Sequence, residues 1–387
     1  MQVLLITPEA LPFSRVGGLG DVSFYLPRAL AHRGHEVIVV VPKHRGSDKM
    51  KLVELSGWQR EIDMSISKRT AHFYQGDTGD IHQAVLIGSD ELFDRSGLYG
   101  NEFGDYDDNA ERFIFFCRAA LTAVAHLARS DGRVIVHCHD WASGLVPMYL
   151  QSWSASFPSL AGAGRVFTYH NLASQGIFLN YDFALTGLDW SMFNPKGLEF
   201  YGRMNLTKAG LLAADVITTV SEKYAQESLT PAFGLGLAGV LLNREKDIVA
   251  VRNGVDYNQG DPETDGYITA NYSQKDLSGK KECRKNLASL FGFTDLKRPA
   301  VAMVCRLLPR TGLDLFVKAL DPMMEMPANV AVMGPGDNHF PDFLQESTVN
   351  CAGRMGFNRA HFATSMNHTL AGAAVCPNLS CVPPSRL

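Results

Sequence analysis

The chain has 387 residues, of which 46% are apolar and 20% charged, and its formal net charge is −4. This is the composition of an ordinary globular protein with room for two or three domains, and without a basic tract or a large charge imbalance it lacks the long-range field that nucleic acid or a membrane surface requires. Cysteines at 117, 138, 283, 305, 351, 376 and 381 form neither CxxC pairs nor an even framework, so they read as small buried hydrophobes or free thiols in a reducing compartment.

In chain order, the opening "MQVLLITPEALPF" has no basic leader, and its apolar run is too short for a signal or spanning helix. It predicts a first buried strand and a cytoplasmic protein. Next comes "SRVGGLGD", with Gly17, Gly18 and Gly20 ahead of a helical segment, "VSFYLPRALAHRG". Glycines there let backbone N–H groups approach a phosphate while the helix dipole favours its charge, and Arg15 adds a fork of donors. A glycine-rich turn with a solvated arginine fits the same residues, and the stretch is neither a Walker P-loop nor GxGxxG.

The apolar, β-branched runs "EVIVVV", "QAVLIG", "RVIVHC", "RVFTY", "DVITTV" and "DIVAV" follow, mostly with helical stretches between them. Such alternation predicts an α/β fold with parallel sheets covered by helices on both faces. Ligands of such sheets bind beyond the carboxyl ends of the strands. His137, His139 and Asp140 in "HCHD" stand at one such end, where a metal site and ordinary hydrogen-bonded histidines both fit. Asp140 is also a candidate for holding a sugar hydroxyl, and His170 in "YHN" fits either a satisfied core histidine or a donor to a ligand. The GxGxxG match in "FGLGLAG" follows a helix rather than a strand, which argues against a nicotinamide site.

Residues 258–298 contain no convincing strand and read as a linker with one helix, before the alternation resumes with "AVAMV" and "NVAVM". Arg306 closes the first of these strands and Arg310 lies four residues on, a second set of cations that would face the first domain if two domains clamp a nucleotide-linked substrate.

The motifs "SRVGGLGDV", "FDRSGLYG", "DYDDNAERFIFFCRAAL", "HCHDWASGLVPMYL", "TYHNLASQGIF", "NGVDYNQGDPETDGYITANYS" and "DLSGKKECRKNL" closely resemble bacterial glycogen synthases and plant starch synthases, the glycosyltransferase family 5 enzymes. The resemblance covers the chain up to about Ala374. It implies a GT-B fold of two facing Rossmann-like domains. It also implies retaining transfer of glucose from ADP-glucose to the non-reducing end of an α-1,4-glucan, with no metal and no cofactor. Carried over by position, the family's phosphate-contacting lysine falls on Arg15, and the glycines whose backbone approaches the diphosphate on Gly17 and Gly18. Asp21, Asp140 and His170 match residues lining the glucose and acceptor region, and Arg306 matches the second domain's phosphate-binding arginine.

Three departures stand out. Arginine replaces lysine at 15; "RLLPRTG" places Thr311, with Arg310 before it, where the family has a phosphate-binding lysine; and after "NHTLAGAA" the chain reads "VCPNLSCVPPSRL" in place of the family's glutamate-bearing "PSRFEPCGLTQ" loop. The expected organisation is therefore 1–257 as acceptor-side catalytic domain, 258–298 as linker, and 299–387 as a partial nucleotide-sugar domain with an atypical tail. That last part shows two clear strands, whose apolar faces are expected to lack partners. A catalytically inactive remnant that only binds glucan or nucleotide is the alternative, and the choice between ADP-glucose and UDP-glucose stays open.

Overall fold

The computed structural model describes residues 1–130, 133–254, 256–257, 261–305, 307, 312–336, 339–359 and 369–376. It divides into two compact units, Met1–Gly254 and Val255–Leu387.

The first unit is built on a ten-stranded sheet. Its strands are β1 (Gln2–Ile6), β2 (Glu36–Pro42), β3 (Leu52–Glu54), β4 (Arg60–Asp63), β5 (Lys68–Gly76), β6 (Gln83–Gly88), β7 (Val134–His139), β8 (Gly164–Tyr169), β9 (Val216–Thr219) and β10 (Ile248–Ala250). They run in the order β10-β9-β8-β7-β1-β2-β6-β5-β3, with β4 paired to β5. Every apolar run of this region named above forms one of these strands, because parallel strands buried on both faces read as continuous apolar sequence. In β1, Leu4 and Ile6 join Ile38, Val40 and the aromatic face of α2 (Asn109–Leu127), while Leu5 points the other way onto Val39, Val41 and Phe13. The sheet is mixed rather than wholly parallel: β3, β4 and β5 add an antiparallel edge beyond β6. Polar residues on the outer face of "KRTAHFYQG" hide that edge from a search for apolar runs.

From β1 the chain builds outward through β2 and β6, then returns to place β7 on the other side of β1 and continues through β8 and β9. The order of connection thus reverses between β1 and β7, whose carboxyl ends are in register with Ile6 opposite Cys138. Such a reversal opens a crevice above the strand ends. The helix α1 (Gly18–His32) starts four residues earlier than "VSFYLPRALAHRG" suggests, inside the glycine stretch. Its first-turn N–H groups, which have no partner within the helix, therefore lie at that crevice.

The second unit holds the parallel strands β11 (Ala300–Val304), β12 (Asn329–Met333) and β13 (Met355–Asn358). One face packs on Leu313, Phe316, Leu320, Phe340 and Leu344, and the other on Leu287, Ala288, Phe291 and Ala373. The expectation of unpartnered apolar faces is thus corrected for the described residues. The helices Leu313–Glu325 and His339–Asn350 cover one face, and the helix Ser278–Phe291, taken from sequence as part of a linker, covers the other, while a third strand extends the sheet. The strand β13 escapes a search for apolar runs because it is short and carries Gly356, where a Cβ would stand 2.4 Å from the carbonyl oxygen of Phe291. Residues 377–387 of the atypical tail lie outside the described residues. Among the described residues no helix is long and apolar enough to cross a membrane.

Candidate active site

Four of the residues singled out from sequence meet in two pairs at the strand ends. On the β1 side, Arg15 Nη2 lies 2.8 Å from Asp21 Oδ2, so the cation before the glycine turn is tied to the first turn of α1. Gly20 makes this possible: a Cβ there would lie 3.0 Å from Arg15 Cγ and 3.1 Å from its Cβ. Gly17 and Gly18 differ, because a Cβ on either meets no atom within 4 Å, and Gly17 adopts an extended conformation open to any residue (φ −138°). Neither internal packing nor backbone geometry calls for glycine at these two exposed positions. The space beside them is left open.

On the other side, Asp140 follows β7 and His170 follows β8. Asp140 has φ 54° and ψ 179°, a region that L-residues adopt only at a cost of about 1–3 kcal/mol and that clusters at functional sites. Several bonds hold it there. Its N–H donates to the Thr168 carbonyl at 2.9 Å, its Oδ1 accepts the His170 N–H at 2.7 Å, and its carbonyl accepts the Ser143 N–H at 3.1 Å. Burial raises the Asp140 carboxyl above the ordinary aspartate range, against the opposing influence of His170. Asp21 is likewise raised by burial, offset by Arg15.

The histidines of "HCHD" are structural partners of their neighbours. His137 Nε2 and Thr168 Oγ1 are 2.7 Å apart, and Thr168 Oγ1 lies 2.5 Å from Thr218 Oγ1. His139 Nδ1 and His170 Nε2 are 3.0 Å apart. Burial pushes His137 down to about 3 and His139 well below the usual histidine range, so both are neutral at pH 7. His139 Nε2 is buried without a partner. A bare lone pair is the cheaper atom to leave there, which puts the His139 proton on Nδ1, donating to His170 Nε2. Among the described residues no group of three or more His, Cys, Asp or Glu could hold a metal ion. Of the "GLGLAG" glycines, Gly234 ends the helix Pro231–Gly234, Gly236 lies in the turn after it and Gly239 lies in the helix Ala238–Asn243, so the strand that a dinucleotide fingerprint needs is missing.

Two residues of the site carry no role in the sequence reading. Glu9, only 4% exposed, accepts the N–H groups of Val16 and Gly17 on one carboxylate oxygen and the Tyr99 hydroxyl on the other. Burial raises its carboxyl, and the nearby Asp140 charge adds to the rise. Tyr99 stacks on Phe113 and tilts against Trp141, with ring centroids 5.7 and 6.0 Å away. The Gly17 N–H is therefore committed to Glu9, and the outward-facing amides begin at Gly18. Arg306, Arg310 and Thr311 lie outside the described residues.

Residues 2–243 match the family model described as the starch synthase catalytic domain. Glycogen synthase 2 of Geobacter sulfurreducens is 37% identical over 365 residues, covering 92% of this chain and 75% of that protein. A glycogen synthase of Anaeromyxobacter is 39% identical over 364 residues, again covering 92% and 75%. Among solved structures, the catalytic domain of starch synthase IV from Arabidopsis thaliana, bound to ADP and acarbose, aligns with a TM-score of 0.85 at 26% identity. That alignment covers 100% of this chain and 79% of the plant chain.

Proposed function

This chain belongs to the starch synthase catalytic-domain family, and from that premise we propose how the strand-end residues of its first unit handle the two substrates. Its fold is α/β of the GT-B type, and its activity is that of a glucosyltransferase of the glycogen and starch synthase kind, with a nucleotide-sugar donor and a glucan acceptor. The matches give no support to the alternative of an inactive remnant.

We infer that the donor is ADP-glucose and that glucose passes with retention to the non-reducing end of an α-1,4-glucan; the ADP and acarbose held by the Arabidopsis enzyme support this reading. The donor diphosphate docks at the head of α1, where the amides from Gly18 onward and the helix dipole meet its charge. Arg15 leaves Asp21 to pair with a phosphate oxygen. As the glycosidic bond breaks, negative charge grows on the distal phosphate and the sugar becomes oxocarbenium-like, so donors already fixed in place lower the barrier without reorganising. Asp140 and His170 face the glucose, and the carboxylate of Asp140 stabilises positive charge there. The acceptor hydroxyl attacks from the face that the leaving group vacates, so the chain supplies no nucleophile. By the family resemblance, Arg306, with Arg310 and Thr311 in a lesser part, also belongs to the donor-binding residues. The six free cysteines among the described residues fit a cytoplasmic setting.

The observation that carries the reading is the meeting of Arg15, Asp21, Asp140 and His170 at one reversal of strand order, beside glycines whose Cβ space is open. The test is transfer of labelled glucose from ADP-glucose or UDP-glucose to glycogen. ADP-glucose should be the better donor, and Arg15→Ala should raise the donor KM about tenfold to a hundredfold, the worth of a charge-assisted hydrogen bond, while leaving the acceptor KM alone. No incorporation above a boiled control from either donor would defeat the reading.

A further inference from the structure

We propose that Glu9 is a positioning residue for the donor turn: its buried carboxylate pins Val16 and Gly17 so that the next amides and Arg15 are presented to the diphosphate. This rests on the reading that the turn binds the donor, and it assigns a role to a residue that touches no substrate.

The geometry is a line of hydrogen bonds from the core to the turn. Arg112, fully buried in α2, donates through Nε to the Leu92 carbonyl at 2.6 Å and through Nη1 to Asn109 Oδ1 at 2.6 Å. Asn109 Nδ2 donates to the Tyr99 carbonyl at 2.7 Å. Tyr99 Oη donates to Glu9 Oε1 at 3.4 Å, and Glu9 Oε2 accepts the N–H of Val16 and, at 3.2 Å, that of Gly17. Each link fixes the next, and the last lies one residue before the amides assigned to the donor.

Such a brace matters most at the glycines themselves, which have no side chain to hold them. Gly17 and Gly18 have no side chain packed against a neighbour, and glycine has the most conformational freedom to lose when a ligand orders it. A loop ordered before binding spares the donor that loss. Glu9 is suited to the task because one carboxylate oxygen accepts two N–H groups at once. Its negative charge would repel a diphosphate if it faced the crevice. Held 4% exposed behind the turn, with both oxygens engaged, it directs its lone pairs at the backbone instead.

The experiment compares Glu9→Ala and Glu9→Gln with the unaltered chain, reading donor and acceptor KM, kcat, and hydrogen exchange at the Val16 and Gly17 amides. Glutamine keeps a carbonyl acceptor for the two amides and turns its NH2 to the Tyr99 oxygen. Alanine should raise the donor KM at least about tenfold, the worth of two such bonds, leave the acceptor KM within about twofold, and speed exchange at both amides. Glutamine should restore slow exchange and most of the donor affinity. A merely structural role would lower kcat with the folded fraction and leave the donor KM in place, and that result overturns the proposal. So does unchanged amide exchange in Glu9→Ala. Arg15→Ala separates the two layers: if it raises the donor KM and Glu9→Ala does not, the donor site stands and the Glu9 role falls; if neither does, the donor site itself falls.

Discussion

At the end of β1 the site is open and charged: the Arg15 side chain is 51% exposed, its partner Asp21 30%, and the glycines beside them face empty space. At the ends of β7 and β8 it is closed: Asp140 is held in a strained conformation by backbone bonds, and behind His170 stands His139, buried and neutral. On the proposed reading, the difference follows from what each bank would hold. A diphosphate brings two or more negative charges and its own hydration, and is met by a cation that can exchange Asp21 for phosphate and by N–H groups that need no side chain. A sugar ring is neutral until the transition state, so its contacts gain from low dielectric and from groups that do not move.

The largest expected effect separates strain from chemistry on the closed bank. Asp140→Ala and Asp140→Gly both remove the carboxylate, and each should lower glucose incorporation by about a hundredfold or more. Glycine, however, accepts the positive φ, so the Gly variant should be more stable than the Ala variant by about 1–3 kcal/mol in denaturant unfolding. Equal stabilities would mean that the backbone at 140 carries no strain, and the contrast with the open bank would lose its physical basis. A smaller effect is expected on the open bank from Gly20→Ala. The new Cβ must push Arg15 aside from a 3.0 Å contact, and because the guanidinium sits at the far end of a flexible chain the donor KM should rise only about threefold, with kcat nearly unchanged. A loss as large as that of Asp140→Ala would show that Arg15 is as rigidly placed as the closed bank.

The strands of the first unit's parallel sheet were legible because burial on both faces leaves only apolar residues, while Arg15, Asp140 and His170 were singled out because strand ends are where such sheets bind ligands, and Asp21 through the family resemblance. The antiparallel edge was not, since β5 opens with the non-buried Lys68, Arg69 and Thr70 and then alternates buried Ala71 and Phe73 with His72 and Tyr74, which leaves no apolar run. Nor was β13, where Gly356 yields its side-chain volume to the backbone of Phe291. Glu9 could not be found from pattern, because its partners are the amides of Val16 and Gly17, and every residue but proline has one. The positive φ of Asp140 was hidden for a similar reason: where glycine would have announced it, the chain has an aspartate.

The head of α1 as the donor cradle is most directly tested by Gly18→Ala, with donor KM and unfolding free energy measured on the same preparation. Since no atom lies within 4 Å of the added methyl and alanine suits a helix better than glycine by about 0.5–1 kcal/mol, the variant should be at least as stable as the parent, yet its donor KM should rise about tenfold as the methyl blocks phosphate from the amide. An unchanged donor KM in a protein of equal or greater stability would mean that nothing docks against that turn.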